Sequence, residues 1–441
     1  MNQPAPSSTS VALAEEAVAP PVRLVARTRR LDVADAADLL ALLPEDAPVA
    51  WIRNGEGLVG WGVAARVTAS GASRFADADT WWNTVVAAAQ VNDEVAQPGT
   101  GLVAFGTFGF SDAHTGDSSL VVPRVVVGRR GEHAWVTTVA VAGEAPADLT
   151  DDDADVWRTE VSATRAPHGL TFSDGSLDGE TWMGVVADAV RRIDAGDLDK
   201  VVLARDLLAR ADDDVDVRWP LRRLATQYPT CWTFHVDGMF GATPEMLLRR
   251  ERGLVTSRIL AGTIRRTGDE ARDLALAGQL AHSSKDLEEH EYAVRSVADA
   301  LGPHCSSMNV PESPFVLHLP NVMHLATDVN GVVSDAAAAS SLKLAEALHP
   351  SAAVGGTPTP TATALIAEIE GMDRARYAAP VGWIDAAGDG EWGIALRSGH
   401  VSGNQVRLFA GCGIVSGSEP ASELAESQAK FVPVRDSLAT D

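Results

Sequence analysis

The chain has 441 residues, 46% of them hydrophobic and 22% charged, which is ordinary for a globular protein and ample for a sizeable core. Thirty-six Lys+Arg stand against 60 Asp+Glu, a net charge of −24, so polyanionic nucleic acid and anionic lipid surfaces are excluded as general partners. Cys231, Cys305 and Cys412 form no CxxC pair, which excludes a disulfide framework and a zinc ribbon and suits a reducing compartment.

The first 20 residues are rich in Pro, Ser and Ala and predict a disordered tail, with no signal peptide. No apolar run reaches the roughly 18 residues of a membrane span, so a cytoplasmic protein is expected. Residues 21–175 form the N-terminal part of the fold, with strands expected in 102–110, 124–128 and 134–143. The acidic stretch 145–155 predicts a solvated loop or boundary. Asp178 is placed to cap a helix whose apolar positions are Trp182, Val185, Val186, Ala189, Val190 and Ile193, with Gly196 as its stop. A strand follows at 200–208, a helix near 216–227, a strand at 231–237, a Gly-rich turn, and strands at 246–250 and 254–260. Two helices are expected in 269–301, a strand at 322–329, and helices at 339–348 and 361–370. A hairpin turning on Gly-Asp-Gly spans 382–398, a strand 405–415, and a last helix 420–431. Strands come in adjacent pairs, with no internal repeat, so the prediction is an α+β fold of large antiparallel sheets wrapped by helices.

Five patterns could carry chemistry, and each has an ordinary structural reading. Asp286 and Glu289 share one helix face, and Glu423, Glu426 and Lys430 share another. Carboxylates from two helices hold hard cations, but an acidic chain also has solvated acidic faces. Gly411-Cys412-Gly413 lets backbone amides approach an anion, or simply turns, and it lacks the third glycine of a dinucleotide fingerprint. Lys200 opens an apolar strand, where it can snorkel or serve as a desolvated base. Glu245 in GATPEML is a turn residue or a general acid. Arg397, alone in an apolar strand, seeks a carboxylate from the protein or from a ligand.

Taken in order, KVVLAR (200–205), TPE (243–245), LAGT (260–263), KDxxEH (285–290), LHPSAAVGG (348–356), YAAPVGW (377–383), ALRS (395–398) and GCGIVSGSEPxxExxExxxK (411–430) resemble the chorismate-binding enzymes. The likeness is dense over 176–436, the expected catalytic region, and implies the fold of anthranilate synthase component I. Family members that use ammonia usually carry Gln where this chain has Lys200, and aminodeoxychorismate synthases carry a nucleophilic lysine where it has Ala261. The pattern is most similar to isochorismate synthase of the menaquinone type. Salicylate synthase is the alternative, anthranilate synthase component I is disfavoured by Lys200, and a silent chorismate- or Mg²⁺-binding protein is the reading from another class.

The resemblance implies Lys200 as base, Glu245 as acid and His349 near the C4 hydroxyl of chorismate. It implies Thr263, Tyr377, Arg397, Gly411, Gly413 and Lys430 as substrate contacts. It also implies Mg²⁺ on Glu289 and Glu426, with Asp286 and Glu423 acting through waters. A dry pocket is expected to push Lys200 down and Glu245 up in pKa. A monomer with no glutamine amidotransferase partner is expected. Ala379 and Cys412 depart from the family's usual Gly and Ala.

Overall fold

The computed structural model describes residues 22–113, 118–143, 157–318, 322–335 and 339–440, without the side chains of Lys285 and Glu289. The expected tail and the whole acidic stretch 145–155 lie outside these residues.

Two large sheets form the frame, one of 13 strands and one of 10. Nearly every pairing is antiparallel, as between Lys200–Arg210 and Gln405–Ile414 or between Leu254–Arg265 and Val322–Val333. The N-terminal and C-terminal parts share both sheets. Val49–Arg53 pairs with Trp232–Val236 in the larger one, and Val103–Thr107 with Pro380–Asp385 in the smaller. Residues 21–175 thus supply strands throughout the frame rather than a separate lobe.

The sheets are joined by a single apolar core that includes Trp51 and Phe234 from the larger sheet and Phe105, Trp383 and Trp392 from the smaller. The indole of Trp51 donates across this layer to Glu391, 2.8 Å away. Helices cover the outer faces. Gly179–Asp194 begins where the Asp178 carboxylate accepts the Thr181 N–H, and buries Trp182, Val186, Ala189 and Ile193 along one stripe.

Several strands of the N-terminal part, among them Leu24–Leu31, Val49–Arg53 and Glu56–Trp61, were not foreseen, and three other elements differ from expectation for a packing reason. The Gly-rich turn contains a buried strand, Met239–Thr243. Gly241 is there because a Cβ would come within 2.7 Å of the Arg397 carbonyl oxygen, so this glycine admits a close strand neighbour. The last helix runs Pro420–Leu438 and passes through Pro433. Burial of Phe431, Val434 and Leu438 outweighs the hydrogen bond lost at the proline. The helix Arg74–Ala88 was not foreseen and buries Phe75, Ala78, Trp82 and Val85.

Trp392 lies fully buried against Gly106, where even a methyl group would meet its ring at 2.7 Å. Truncating Trp392 to Ala should cost about 3–5 kcal/mol. Denaturant unfolding should show this as a lower midpoint with an unchanged slope.

Candidate active site

The chain crosses from the larger sheet to the smaller at Pro244–Glu245, between Met239–Thr243 and Met246–Glu251. It crosses back at 395–397, between Gly390–Ile394 and Ser398–Ser402. The two crossings are tied together: Ile394 N–H donates to the Glu245 carbonyl at 3.1 Å, and Ala242 N–H to the Arg397 carbonyl at 3.2 Å. Arg397 makes its turn with a left-handed φ of 48°. Thr243 Oγ1 accepts the Glu245 N–H at 3.2 Å, a Thr-turn that sets the glutamate's direction.

Both side chains enter a cavity of about 1100 Å³, and Lys200, Thr263 and Tyr377 also line it. Gly411, Gly413 and Lys430 lie on the same walls. Of the residues predicted to hold cation and substrate, Asp286, Glu423 and Glu426 join them there. Glu289 lies on the helix Ser284–Leu301, but its side chain is outside the described residues.

Glu245 is 9% exposed, and burial pushes its carboxyl up to about 7 against the opposing pull of Arg397, Lys200 and Lys430. At neutral pH this carboxylic acid can keep its proton. Burial also raises Tyr377, whose ring stacks on Phe409 with centroids 5.2 Å apart, so its phenol remains a donor.

The glycines at 411 and 413 supply room. A Cβ at Gly413 would stand 3.0 Å from Lys200 Cε, and one at Gly411 would stand 3.2 Å from Tyr377 Oη. Their spacing of two puts both on one face of the strand, so the lysine arm and the tyrosine hydroxyl each lie over a missing side chain.

The bulge in LAGT, between Ala261 and Thr263, sets Thr263 directly opposite His324. Their side chains meet at 2.9 Å between Oγ1 and Nδ1. His324 lines the cavity, and its buried Nε2 makes no hydrogen bond among the described residues. Burial, with repulsion from Arg397 and Lys430, lowers its pKa to about 4, so the ring is neutral.

His349, expected beside the C4 hydroxyl, is not among the cavity-lining residues, whereas His324 is. The helix Ser341–Ala347 leads into a layer where His349 packs against Phe75 and Phe110 and its Nε2 lies 2.9 Å from the Phe110 carbonyl oxygen. The signal for His324 was its lone polar ring in the apolar run VMHLATDV, which reads equally well as a core histidine.

Glu423, Glu426 and Cys412 bring ligand atoms within 4.8 Å of one another. Lys430 is 2.6 Å from Glu426 and also donates to the Gly411 carbonyl. Desolvation works against ionisation of Glu426, but Lys430 prevails and holds its carboxyl below the usual range. Burial pushes the Cys412 thiol up to about 12, so at neutral pH the cluster offers carboxylate oxygens, the donors of a hard divalent cation. The carboxylate of Asp286 comes from a second helix that borders the same cavity. This donor set fits Mg²⁺.

Residues 15–439 match the family described as chorismate binding enzyme. Over 362 residues the chain is 33% identical to isochorismate synthase MenF of Bacillus subtilis (strain 168), covering 78% of this chain and 76% of that protein. It is 35% identical over 393 residues to the salicylate biosynthesis isochorismate synthase of Pseudomonas aeruginosa, covering 86% and 82%. The fold superposes on the menaquinone-specific isochorismate synthase MenF of Escherichia coli with a TM-score of 0.78 at 24% identity, over 96% and 97% of the chains.

The raised pKa of Glu245 has a consequence for stability. Its folded value of about 7 lies above the ordinary 4.5, so the folded state holds the proton more tightly and stability falls as pH rises between those values. Glu245→Gln should therefore melt higher than the unsubstituted protein at pH 8, by roughly 1–3 kcal/mol, and show little difference at pH 4. Thermal melts across pH check this, and equal melting at pH 8 would mean that the ionised carboxylate is not penalised by burial.

Sequence match, fold and the residues gathered in the cavity agree, and the chain belongs to the chorismate-binding enzyme family.

Proposed function

We propose that this protein is an isochorismate synthase, converting chorismate to isochorismate with Mg²⁺. The observation that carries the reading is the pairing of Lys200 with a buried, readily protonated Glu245 in one cavity.

Chorismate carries two carboxylates and a C4 hydroxyl, and hydroxide is a poor leaving group. In this mechanism the Glu245 carboxyl gives its proton to the C4 oxygen, which departs as water. A second water adds at C2 and yields its proton to the Lys200 amine, while the ring double bonds shift. One proton is taken and one given, so the exchange leaves the net proton count unchanged.

Arg397 has the planar fork to hold a carboxylate bidentately, and Tyr377 and Lys430 are donors beside it. His324, neutral and next to Thr263, takes the role beside the C4 hydroxyl. Glu426 and Glu289 would hold Mg²⁺, with Asp286 and Glu423 acting through waters, and the ion would supply charge compensation for the substrate carboxylate. Lys200, rather than an ammonia-using arrangement, makes a glutamine amidotransferase partner unnecessary. No helix among the described residues is long and apolar enough to cross a membrane, which accords with the proposed cytoplasmic location.

Incubation with chorismate, Mg²⁺ and no ammonia should yield isochorismate. Salicylate with pyruvate, or no product, would overturn the assignment. Excess EDTA and Glu426→Ala should each remove most turnover, and full activity in EDTA would remove Mg²⁺ from the mechanism.

The acid role sets the alkaline side of the pH profile. As pH rises through about 7 in the free enzyme, Glu245 loses the proton it must donate, and kcat/KM should fall. A bound dianionic substrate favours the protonated acid, so the corresponding fall in kcat should lie at higher pH. Glu245→Gln should lower turnover by about 10²–10⁴-fold. Steady-state kinetics across pH provide the check.

A further inference from the structure

The strand Lys200–Arg210 is paired along one edge with Gln405–Ile414, from Val201 to Arg210. Among the described residues, its other edge has strand partners only at the ends: Gly356–Thr357 beside Lys200 and Val201, and Thr171–Asp174 beside 207–210. Between them the sheet has a gap, where the Val202 N–H donates to the Gly355 carbonyl and the Trp182 indole donates to the Ala204 carbonyl, each at 2.9 Å, and the Val202 carbonyl and Ala204 N–H have no main-chain partner among the described residues.

A buried ion pair closes that gap. Glu370 is 0% exposed and Arg374 3% exposed. They form a double contact, Nε to Oε1 at 2.7 Å and a terminal nitrogen to Oε2 at 2.6 Å. Glu370 Oε2 also accepts the Ala204 N–H at 2.8 Å. Arg374 donates to the Val202 carbonyl at 2.6 Å and to the Val354 carbonyl at 2.9 Å. The Arg374 carbonyl in turn accepts the Tyr377 N–H at 2.9 Å.

We propose that Glu370 and Arg374 are the positioning residues of this active site: their ion pair stands in for the missing strand and fixes Lys200 and Tyr377 relative to each other. The inference rests on reading Lys200 as the base. A buried pair of this kind gains little stability over apolar side chains of equal volume. Apolar side chains, however, would leave the Val202 and Val354 carbonyls and the Ala204 N–H buried without partners. The Arg374 guanidinium makes four such bonds at once, two to the carboxylate and two to carbonyls on different segments, one more than the three donors of an ammonium could make. Through these bonds the lysine strand, the 352–355 loop and the turn into Tyr377 become one rigid unit on the cavity wall.

The test uses the full-length protein and two kinds of readout. Glu370→Gln keeps the shape and loses the charge. It should lower kcat about tenfold or more, since a misplacement near 1 Å can cost about 10²-fold. The Kd for chorismate, read from tryptophan fluorescence, should change less than kcat, within about threefold, because Arg397 and Lys430, which the pair does not touch, still hold the carboxylate when the Tyr377 donor shifts. The second readout needs no turnover. Lys200 and Lys343 are labelled together with acetic anhydride and quantified by mass spectrometry, with exposed Lys343 as internal reference. The Lys200/Lys343 ratio should change about threefold or more in Glu370→Gln, as expected for an amine moved in its surroundings.

Asp389→Asn, which breaks the buried pair of Arg250 and Asp389 in the smaller sheet, is the control for general destabilisation. It should lower the melting temperature and leave kcat and the labelling ratio unchanged. If Glu370→Gln does not fold, Arg374→Lys carries the same test, keeping the charge and losing the fork. A folded variant with unsubstituted kcat and labelling ratio would overturn the proposal, as would losses no different from those of Asp389→Asn. If the unsubstituted protein makes no isochorismate, the functional reading falls, and the labelling ratio still decides whether the pair positions Lys200.

Discussion

The site depends on one constraint, the passage of the chain between two packed sheets. A strand that leaves one sheet for the other must turn within two or three residues, and here two such turns are hydrogen-bonded together. Side chains at the turns point into the seam between the sheets, where water is scarce and strand partners end. Glu245 and Arg397 occupy these positions. Burial raises the carboxyl's pKa, while the guanidinium nearby limits how far it rises. The same geometry explains the left-handed backbone at Arg397: a residue that reverses sheets while aiming a long side chain inward has few conformations available.

Around this seam the chain alternates bulk and absence. Gly411 and Gly413 leave a trough along one strand, and the neighbouring strand sends the Lys200 arm over it. Gly241 admits the strand Ser398–Ser402 close enough to pair with Met239–Gly241. Beside these open positions the cavity gathers cations from several elements, Lys200, Arg397 and Lys430, and acids from the two helices Ser284–Leu301 and Pro420–Leu438. In a chain of net charge −24, this local balance lets a dianion enter a protein whose average field would repel it.

Much of the framework was legible in the residues because it rests on local rules. The helix after Asp178 follows from a cap and a regular apolar stripe, and the hairpin of Pro380–Asp385 and Gly390–Ile394 from the Gly-Asp-Gly turn, although it ends at Ile394 and not at 398, where the chain has crossed to the other sheet. The candidate site was legible through ordered motifs, since Lys200, Glu245, Tyr377 and Arg397 are widely separated in sequence and meet in one cavity. Long-range packing escaped. Met239–Thr243 looked like a turn because its glycine serves a neighbour that arrives some 155 residues later. His324 was not singled out, and His349, named for the site, packs away from the cavity, because the sequence does not show which layer a ring faces. The last helix was expected to stop at 431 and runs to Leu438 through Pro433, because the burial of Val434 and Leu438 that carries it past the proline is not visible in the sequence.

The same distinction separates the groups that act from those that hold them in place. A lysine that opens a strand is easily noticed, but where its amine stands depends on what fixes the strand. Lys200 and its neighbour Val201 have a two-residue partner on one edge, and beyond it the Val202 carbonyl and the Ala204 N–H meet the side chains of Arg374 and Glu370 rather than a paired strand. Glu370 and Arg374 appear in the sequence as an ordinary i, i+4 pair at a helix end, the kind that on a surface contributes only tenths of a kcal/mol. Burial changes their meaning. With no water to compete, each donor and acceptor of the pair must find its place on the main chain, and the main chain is thereby held where the pair requires. A sheet built this way can leave an edge open for a cavity and still keep the residues on that edge in register.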